Sequence, residues 1–373
     1  MAYTTIDNSQ ECFQTLHYTG NGSTSSGIAR TFDGSVDLKP GLTYHHKYAG
    51  GGNYMNIMEN EYTGAGTHWL ASSGDSVAND GPSASFDTNG FTHATNNLGG
   101  YYHNENGKSY GVWAWKESGA SNANNTDGTI SSVVRVNSDI GLSIVNWTGT
   151  SANGTIGHGL GKKPDALWMY PIQVAANNGN TQRPQWWSGN SLDYVMNTGL
   201  NENRTESNSV NGILSADASG SRGTSSVFTV KEANSSFEAV NHSSQNYMCF
   251  AWVGIQGFSK FGKYVGNGNA NGTFVYTGFK PALIIIGSLG SNGFQCFDNR
   301  RDPVNKDSGG AINLTANYGA ESRDGNTKID ILSNGFKLRT TGVQINANGV
   351  GFVYGAFAEQ PFVTSTGVPT TAR

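Results

Sequence analysis

The chain has 373 residues, 13% of them charged and 11% aromatic, with 51 glycines and a formal net charge of −4. That length accommodates two or three domains, and so many aromatics with so few charged residues exclude a disordered chain. A weak negative charge without basic clusters excludes a general attraction to nucleic acid phosphate.

In chain order, Phe13, Leu16 and Tyr18 mark a first strand that ends at the turn Gly20-Asn21-Gly22. Lys39-Pro40 then precedes the short run Leu42-Thr43-Tyr44, and Gly50 to Asn53 is a further turn. Asn89-Gly90 stands between Phe86 and Phe91, a strong short-range hairpin signal. Tyr110 to Trp115 reads as a closing strand whose tryptophans alternate into a sandwich core, with a ligand platform as the alternative. Residues 118–131 read as a polar linker.

Val133 to Val136 and Gly141 to Val145 are the next strands, followed by Trp147-Thr148-Gly149. The turn Gly161-Lys162-Lys163-Pro164 opens into Asp165 to Met169. From Asn177 to Gly223 lies an Asn-rich stretch containing Trp186-Trp187, expected to be a variable loop region. Tyr247 to Val253 is a second closing strand. Gly257 to Gly262 begins a third unit, in which Tyr264-Val265-Gly266 leads through Lys280-Pro281 into Ala282 to Ile286. That unit closes with Ile329 to Leu338, where Asn334-Gly335-Phe336 repeats the hairpin signal, and then with Phe352 to Phe362.

These stretches are one unit written three times, a pattern to settle before any other signal. The aromatic precedes the proline by 17 residues in the second and third copies and by 22 in the first. Helical periodicity is nearly absent. The expectation is an all-β chain of three tandem antiparallel β-sandwich, jelly-roll-like domains at 1–119, 120–256 and 257–373, with very little helix. A closed barrel in each unit is the alternative.

Cys12, Cys249 and Cys296 are too few for a disulfide framework and read as buried or free thiols, fitting assembly in a reducing cytoplasm. Met1 to Asp7 lacks the basic and apolar regions of a signal peptide, and no apolar run approaches the ~20 residues of a bilayer span. A soluble protein without membrane insertion is therefore expected.

Candidate chemistry is sparse. Glu59 and Glu61 would share a strand face, a poor placement for flanking a glycosidic bond, and a solvated face is the simpler reading. His45 and His46 would point to opposite faces and are expected at the surface rather than on a metal. By its distance from the proline, His158 aligns with Val275 of the third copy. Gly266-Asn267-Gly268 lacks the helix that a phosphate cradle needs. Asp298-Asn299-Arg300-Arg301-Asp302 could offer calcium oxygens, but its arginines favour a paired turn. No catalytic residues, cofactor or metal are expected.

The third unit's Tyr264-Val-Gly-Asn-Gly, Phe274 to Pro281, Phe297 to Asn305, Leu332 to Arg339 and Ala356 to Phe362 resemble a module of tailed marine phages. That module is familiar from cyanophages, in virion structural proteins described as tail-fibre-like. The second unit resembles it through Gly141 to Val145, Trp147-Thr-Gly149 and His158 to Pro164, and the first departs most. The resemblance implies a virion protein assembled in the bacterial host cytoplasm, most simply a tail fibre or adhesin. A capsid-surface fibre, knob or decoration protein is the alternative, and a polysaccharide-binding or depolymerising phage enzyme a further one. Expected partners are other virion proteins, a host surface polysaccharide or protein, and further copies of the chain, preferably as a trimer. Trp186, Trp187 and Tyr194 are the candidate binding residues, because exposed aromatics among amides and hydroxyls suit recognition.

Overall fold

The structure is a computed structural model and describes residues 3–23, 28–49, 56–70, 83–93, 104–171, 185–188, 195–196, 206–207, 222–231, 241–243, 245–289, 294–301, 305, 311–313, 321–322 and 328–370. The chain is all-β. Among the described residues, helix is confined to a 3-10 turn at Ser9–Glu11 and one α turn at Val343–Asn346. None of it is long and apolar enough to cross a membrane.

Each repeat builds one large antiparallel sheet with the same strand order. In the first, the opening strand Phe13–Thr19 pairs with the closing strand Ser109–Lys116. That strand pairs in turn with the Lys-Pro strand Pro40–Ala49. The second repeats this order with Leu142–Thr148, Asn246–Trp252 and Ala166–Pro171. The third does so with Ser259–Val265, Gly351–Pro361 and Phe279–Ser288. Further strands extend each sheet beyond the Lys-Pro strand, and among the described residues no sheet takes strands from two repeats.

The register shows how closely the copies correspond. Leu42, Ala166 and Leu283, each two residues after the proline, stand opposite Trp115, Trp252 and Phe357. The motif aromatics Tyr18, Trp147 and Tyr264 stack on Tyr110, Tyr247 and Phe352 of the closing strands, with centroids 5.2, 5.4 and 5.2 Å apart. The glycine two residues further on is required by close approach. A Cβ at Gly20, Gly149 or Gly266 would lie 2.1, 2.2 or 2.4 Å from the carbonyl oxygen of Glu105, His242 or Ala347.

A small second layer covers one face of each large sheet. In the first repeat it holds Ala29–Arg30, Gly90–His93 and Ser83–Asp87; in the second, Gly154–Gly157 and Val227–Val230; in the third, Phe274–Tyr276, Gly335–Leu338 and Ile329–Leu332. The fully buried Phe91, Phe228 and Phe336 anchor the three layers opposite Arg30, Ile156 and Val275. This register corrects one alignment drawn from the sequence. Val275 corresponds to Ile156, so His158 corresponds to Thr277, and the shared 17-residue spacing conceals compensating length changes within the turn.

The other face of each large sheet is buried as well. Trp115, Trp252 and Phe357, at the same place in the three closing strands, meet pairwise at 5.6, 5.1 and 5.2 Å. The contacts form a nearly equilateral triangle, so the repeats surround a pseudo-threefold axis rather than standing in a row. One apolar cluster runs through all three repeats, and a second fills the sandwich of the middle one. Burial on both faces explains why Tyr247–Trp252 and Ala282–Ile286 are continuous apolar runs instead of alternating ones. The ring is closed by the N-terminal segment. Thr4 Oγ1 donates to Gln256 O at 2.7 Å, and Asp7 accepts from Ser365 N and Oγ at 2.6 and 2.8 Å.

Candidate functional site

Among the described residues, three groups of polar side chains carry the chemistry that the structure offers; two lie where sheets meet and the third at a turn repeated in each unit.

The first is between the two layers of the first repeat. Glu59, at the end of the strand Asn56–Asn60, is fully buried. It accepts from Ser83 Oγ at 2.5 Å and Ser83 N at 3.1 Å, and His45 Nε2 lies 3.1 Å from its Oε2. His45 Nε2 is also 3.1 Å from Thr43 Oγ1, and the ring packs edge-on against Phe91 at 4.9 Å. A serine, a histidine and a glutamate therefore meet, but the serine proton points at the carboxylate rather than at the imidazole. Nucleophile activation requires a serine hydrogen-bonded to its base. This trio instead satisfies a buried carboxylate.

These positions correct two expectations. Glu59 is not on a solvated face, and His45 and His46 are not at the surface, because both sides of the first large sheet are covered. A register shift between Glu59 and Asn60 also separates the two glutamates. Glu61 accepts from Ser118 N at 2.8 Å and lies 3.5 Å from Arg135 Nε, at the junction of the first and second repeats. Burial raises its carboxyl above the ordinary value, against the pull of the Ser118 bonds and the Arg135 charge.

The second group joins the first and third repeats. Asp298 ends the strand Phe294–Asp298, and its side chain is fully buried. Its Oδ1 accepts from Arg300 N and Arg301 N at 3.1 and 3.0 Å, and its Oδ2 is 2.6 Å from Arg301 Nε. From the first repeat, Trp113 Nε1 donates to it at 3.4 Å and His17 Nε2 lies 3.4 Å away. His46 packs against Trp113 with centroids 4.4 Å apart. Burial opposes ionisation of Asp298, but Arg301 and His17 outweigh it and hold the carboxyl well below the usual range. Burial, joined by the charge of Arg301, keeps His46 well below its ordinary value of 6.5.

His17, His46 and Asp298 could present ligand atoms within 4.8 Å of one another. Arg301 already occupies the carboxylate, so the geometry fits a buried ion pair better than a cation site. The paired turn expected at Asp298 to Arg301 is what the structure contains; Asp302 lies outside the described residues.

The third group occurs once per repeat. Asn104, Asn241 and Asn346 are buried, six residues before the first aromatic of each closing strand. Their side-chain oxygens accept from Asn21 N, Thr150 N and Asn267 N at 3.2, 3.1 and 2.9 Å. Their backbone oxygens accept from Gly22 N, Ser151 N and Gly268 N. Asn346 Nδ2 further donates to Asn267 Oδ1, Asn269 O and Thr340 O. The Gly266-Asn267-Gly268 amides thus bind the chain's own oxygens. The constant spacing of six would have revealed these asparagines, but in an Asn-rich chain none stands out by itself.

The repeated lysine also acquires a role. Lys39 pairs with Glu117 at 2.9 Å and Lys280 with Glu359 at 2.7 Å, each glutamate two residues beyond the axial aromatic. In the second repeat Asp165 replaces the pair by accepting from Gly254 N at 2.8 Å.

Trp186 and Trp187 occupy the strand Gln185–Ser188, opposite Trp168 and Leu167, within the large sheet of the second repeat rather than in a loop. Tyr194 lies outside the described residues. The three cysteines are free and buried, with the thiols of Cys249 and Cys296 pushed well up by burial.

Fold and polar groups together define an all-β scaffold in which three copies of one unit are locked around a common core. The chain belongs to the family described as a domain of unknown function, DUF7483, whose model matches residues 8–361. That single match spans all three repeats. No curated protein matches the chain.

Proposed function

We propose that this chain is a non-enzymatic structural protein of a phage virion, of the tail-fibre or adhesin kind, which presents surfaces for host attachment or for neighbouring virion proteins. One observation carries the reading: among the described residues, the side chains most capable of chemistry are committed to the scaffold. Glu59 is enclosed by Ser83 and His45, Asp298 by Arg301, and Glu61 by Ser118 and Arg135. A glycoside hydrolase needs two carboxyls facing one bond, whereas these three carboxylates belong to separate junctions. The resemblance of the third and second repeats to tailed-phage virion modules supports the same reading.

Immunogold labelling of intact particles, with mass spectrometry of purified virions, tests it. Label at the tail or its fibres is expected. Absence of the chain from particles, or release of reducing ends from host polysaccharide that a carboxylate-to-amide change abolishes, overturns it.

The pseudo-threefold axis favours a second reading, a knob or decoration on the capsid surface. A body with three related faces matches a threefold-symmetric partner without three chains being recruited. It also competes with the expected homotrimer, since one chain already supplies three copies of the unit. Label distributed over the head, with a monomer in sedimentation, would select it.

A further inference from the structure

The small layer of the third repeat differs from its two counterparts in one respect that the fold does not explain. Phe274 and Tyr276 flank the buried Val275 on an edge strand and are 44% and 47% exposed. The corresponding positions are Ala29 and Thr31 in the first repeat, and Thr155 and Gly157 in the second, as the registers of Arg30, Ile156 and Val275 establish. The same architecture thus forms twice with small residues at these sites. In the second repeat its own chain covers this edge, through the Ile130 to Ile156 bridge and the bonds between Thr129 and Thr155.

The surroundings of the aromatic pair are polar and cationic. Lys260 Nζ lies 5.2 Å from the Tyr276 ring centroid and donates to Tyr276 O at 2.7 Å. Lys337 stands directly opposite Phe274, and its Nζ donates to Gly272 O at 3.1 Å. Asp330, opposite Lys337 on the third strand, is paired with Arg339 at 2.6 Å. The Tyr3 hydroxyl donates to Gly278 O at 2.6 Å, which leaves its oxygen as an acceptor, and lies 3.5 Å from the Tyr276 hydroxyl.

We propose that this face binds an acidic polysaccharide, with pyranose rings stacked on Phe274 and Tyr276, acid groups met by Lys260 and Lys337, and ring hydroxyls bonded by Tyr3 and Tyr276. Alternate strand positions place the two rings about 7 Å apart on one side, a ladder on which consecutive sugars can lie. Two half-exposed aromatics offer on the order of 200 Å², far below the ~800 Å² per partner of a stable protein interface. Lys260 and Lys337 form no ion pair among the described residues, so their ammonium groups select an anionic chain over a neutral one. The inference rests on these residues and not on the virion reading, and labelling of particles does not bear on it.

The test is titration of the full chain with alginate oligosaccharides, dextran sulfate and neutral dextran. Binding to at least one acidic glycan and not to dextran is expected, weakening as salt rises. Phe274→Ala and Tyr276→Thr install the residues that the first repeat carries, so an unchanged Tm is expected together with roughly five- to tenfold weaker binding for each. Failure of both acidic glycans to bind overturns the proposal, as does binding that both variants retain in full. Self-association of the wild-type chain that Phe274→Ala abolishes also overturns it, by assigning the face to a second copy of the chain.

Discussion

Replacing Trp252 by alanine tests whether the three repeats are one cooperative body. The side chain is fully buried and meets Trp115, Trp168, Phe261 and Phe357 at centroid distances of 5.6, 5.2, 6.1 and 5.2 Å. Truncating a buried tryptophan costs about 3–5 kcal/mol. The upper end is expected here, because rings from all three repeats line the hole and none can fill it without leaving its own sheet. A loss of that size removes a third or more of the ~5–15 kcal/mol that holds a typical domain. Urea unfolding followed in parallel by far-UV circular dichroism and tryptophan fluorescence should keep a single transition, shifted to lower urea for both probes. A double-mutant cycle sharpens the point. Trp252→Ala combined with Phe357→Ala should deviate from additivity by about 1–3 kcal/mol, since the two share one cavity. Trp147→Ala combined with Tyr264→Ala, stacked in separate repeats, should add within ~0.5 kcal/mol. Additive behaviour of the axial pair, or a transition that splits so that one repeat melts alone, would falsify the common-core account.

The buried Asp298 and His46 make acid sensitivity predictable. His46 has its folded pKa depressed below 6.5, so below that pH the unfolded chain binds the extra proton and stability falls, by up to ~1.4 kcal/mol per pH unit. His46→Phe should flatten that window in urea titrations between pH 7 and 5. Asp298 adds a second contribution to stability, present in full above about pH 4 and lost as the pH falls through its depressed folded value. Asn346→Ala should cost about 2–4 kcal/mol by chemical denaturation, because it removes the two amide N–H groups shared among Asn267 Oδ1, Asn269 O and Thr340 O, and the acceptor of Asn267 N. Asn346→Asp should do no better, since its oxygens would face carbonyls. Lys280→Met should cost less than about 1 kcal/mol in the same assay, because the Lys280–Glu359 pair is part-exposed and screened.

Legibility of the sequence followed the range over which each constraint acts. The aromatic-x-Gly motif could be read because its causes lie within one repeat: a stack on the closing strand and a loop carbonyl against the glycine. All-β character and the hairpin at Asn334-Gly335 were equally local, and that turn does join Ile329–Leu332 to Gly335–Leu338. The environments of Glu59, His45 and His46 were not legible, because a carboxylate and two imidazoles look polar whether they face water or a second sheet. What buries His46 includes Asp298 and Arg301, which lie about 250 positions further along the chain. The axial triangle was hidden for the same reason. Trp115, Trp252 and Phe357 each look like ordinary core residues of their own strand, and only the closed ring makes them one another's neighbours.

A chain that folds the same unit three times carries its own controls. Where all three copies agree, in the stacked aromatic, the glycine under a carbonyl, the buried asparagine and the axial ring, the fold accounts for the residue. Where they differ, the fold tolerates more than one answer. Some differences remain structural, as when Asp165 holds Gly254 N in place of a lysine–glutamate pair. Phe274 and Tyr276 belong to another category. The same small layer forms with alanine and threonine, or with threonine and glycine, at these sites, and half-exposed rings there add apolar surface to water. Phe274 and Tyr276 are the residues on which the proposed polysaccharide-binding face rests, so the search for this protein's partner begins at the third repeat's small sheet rather than at its buried carboxylates.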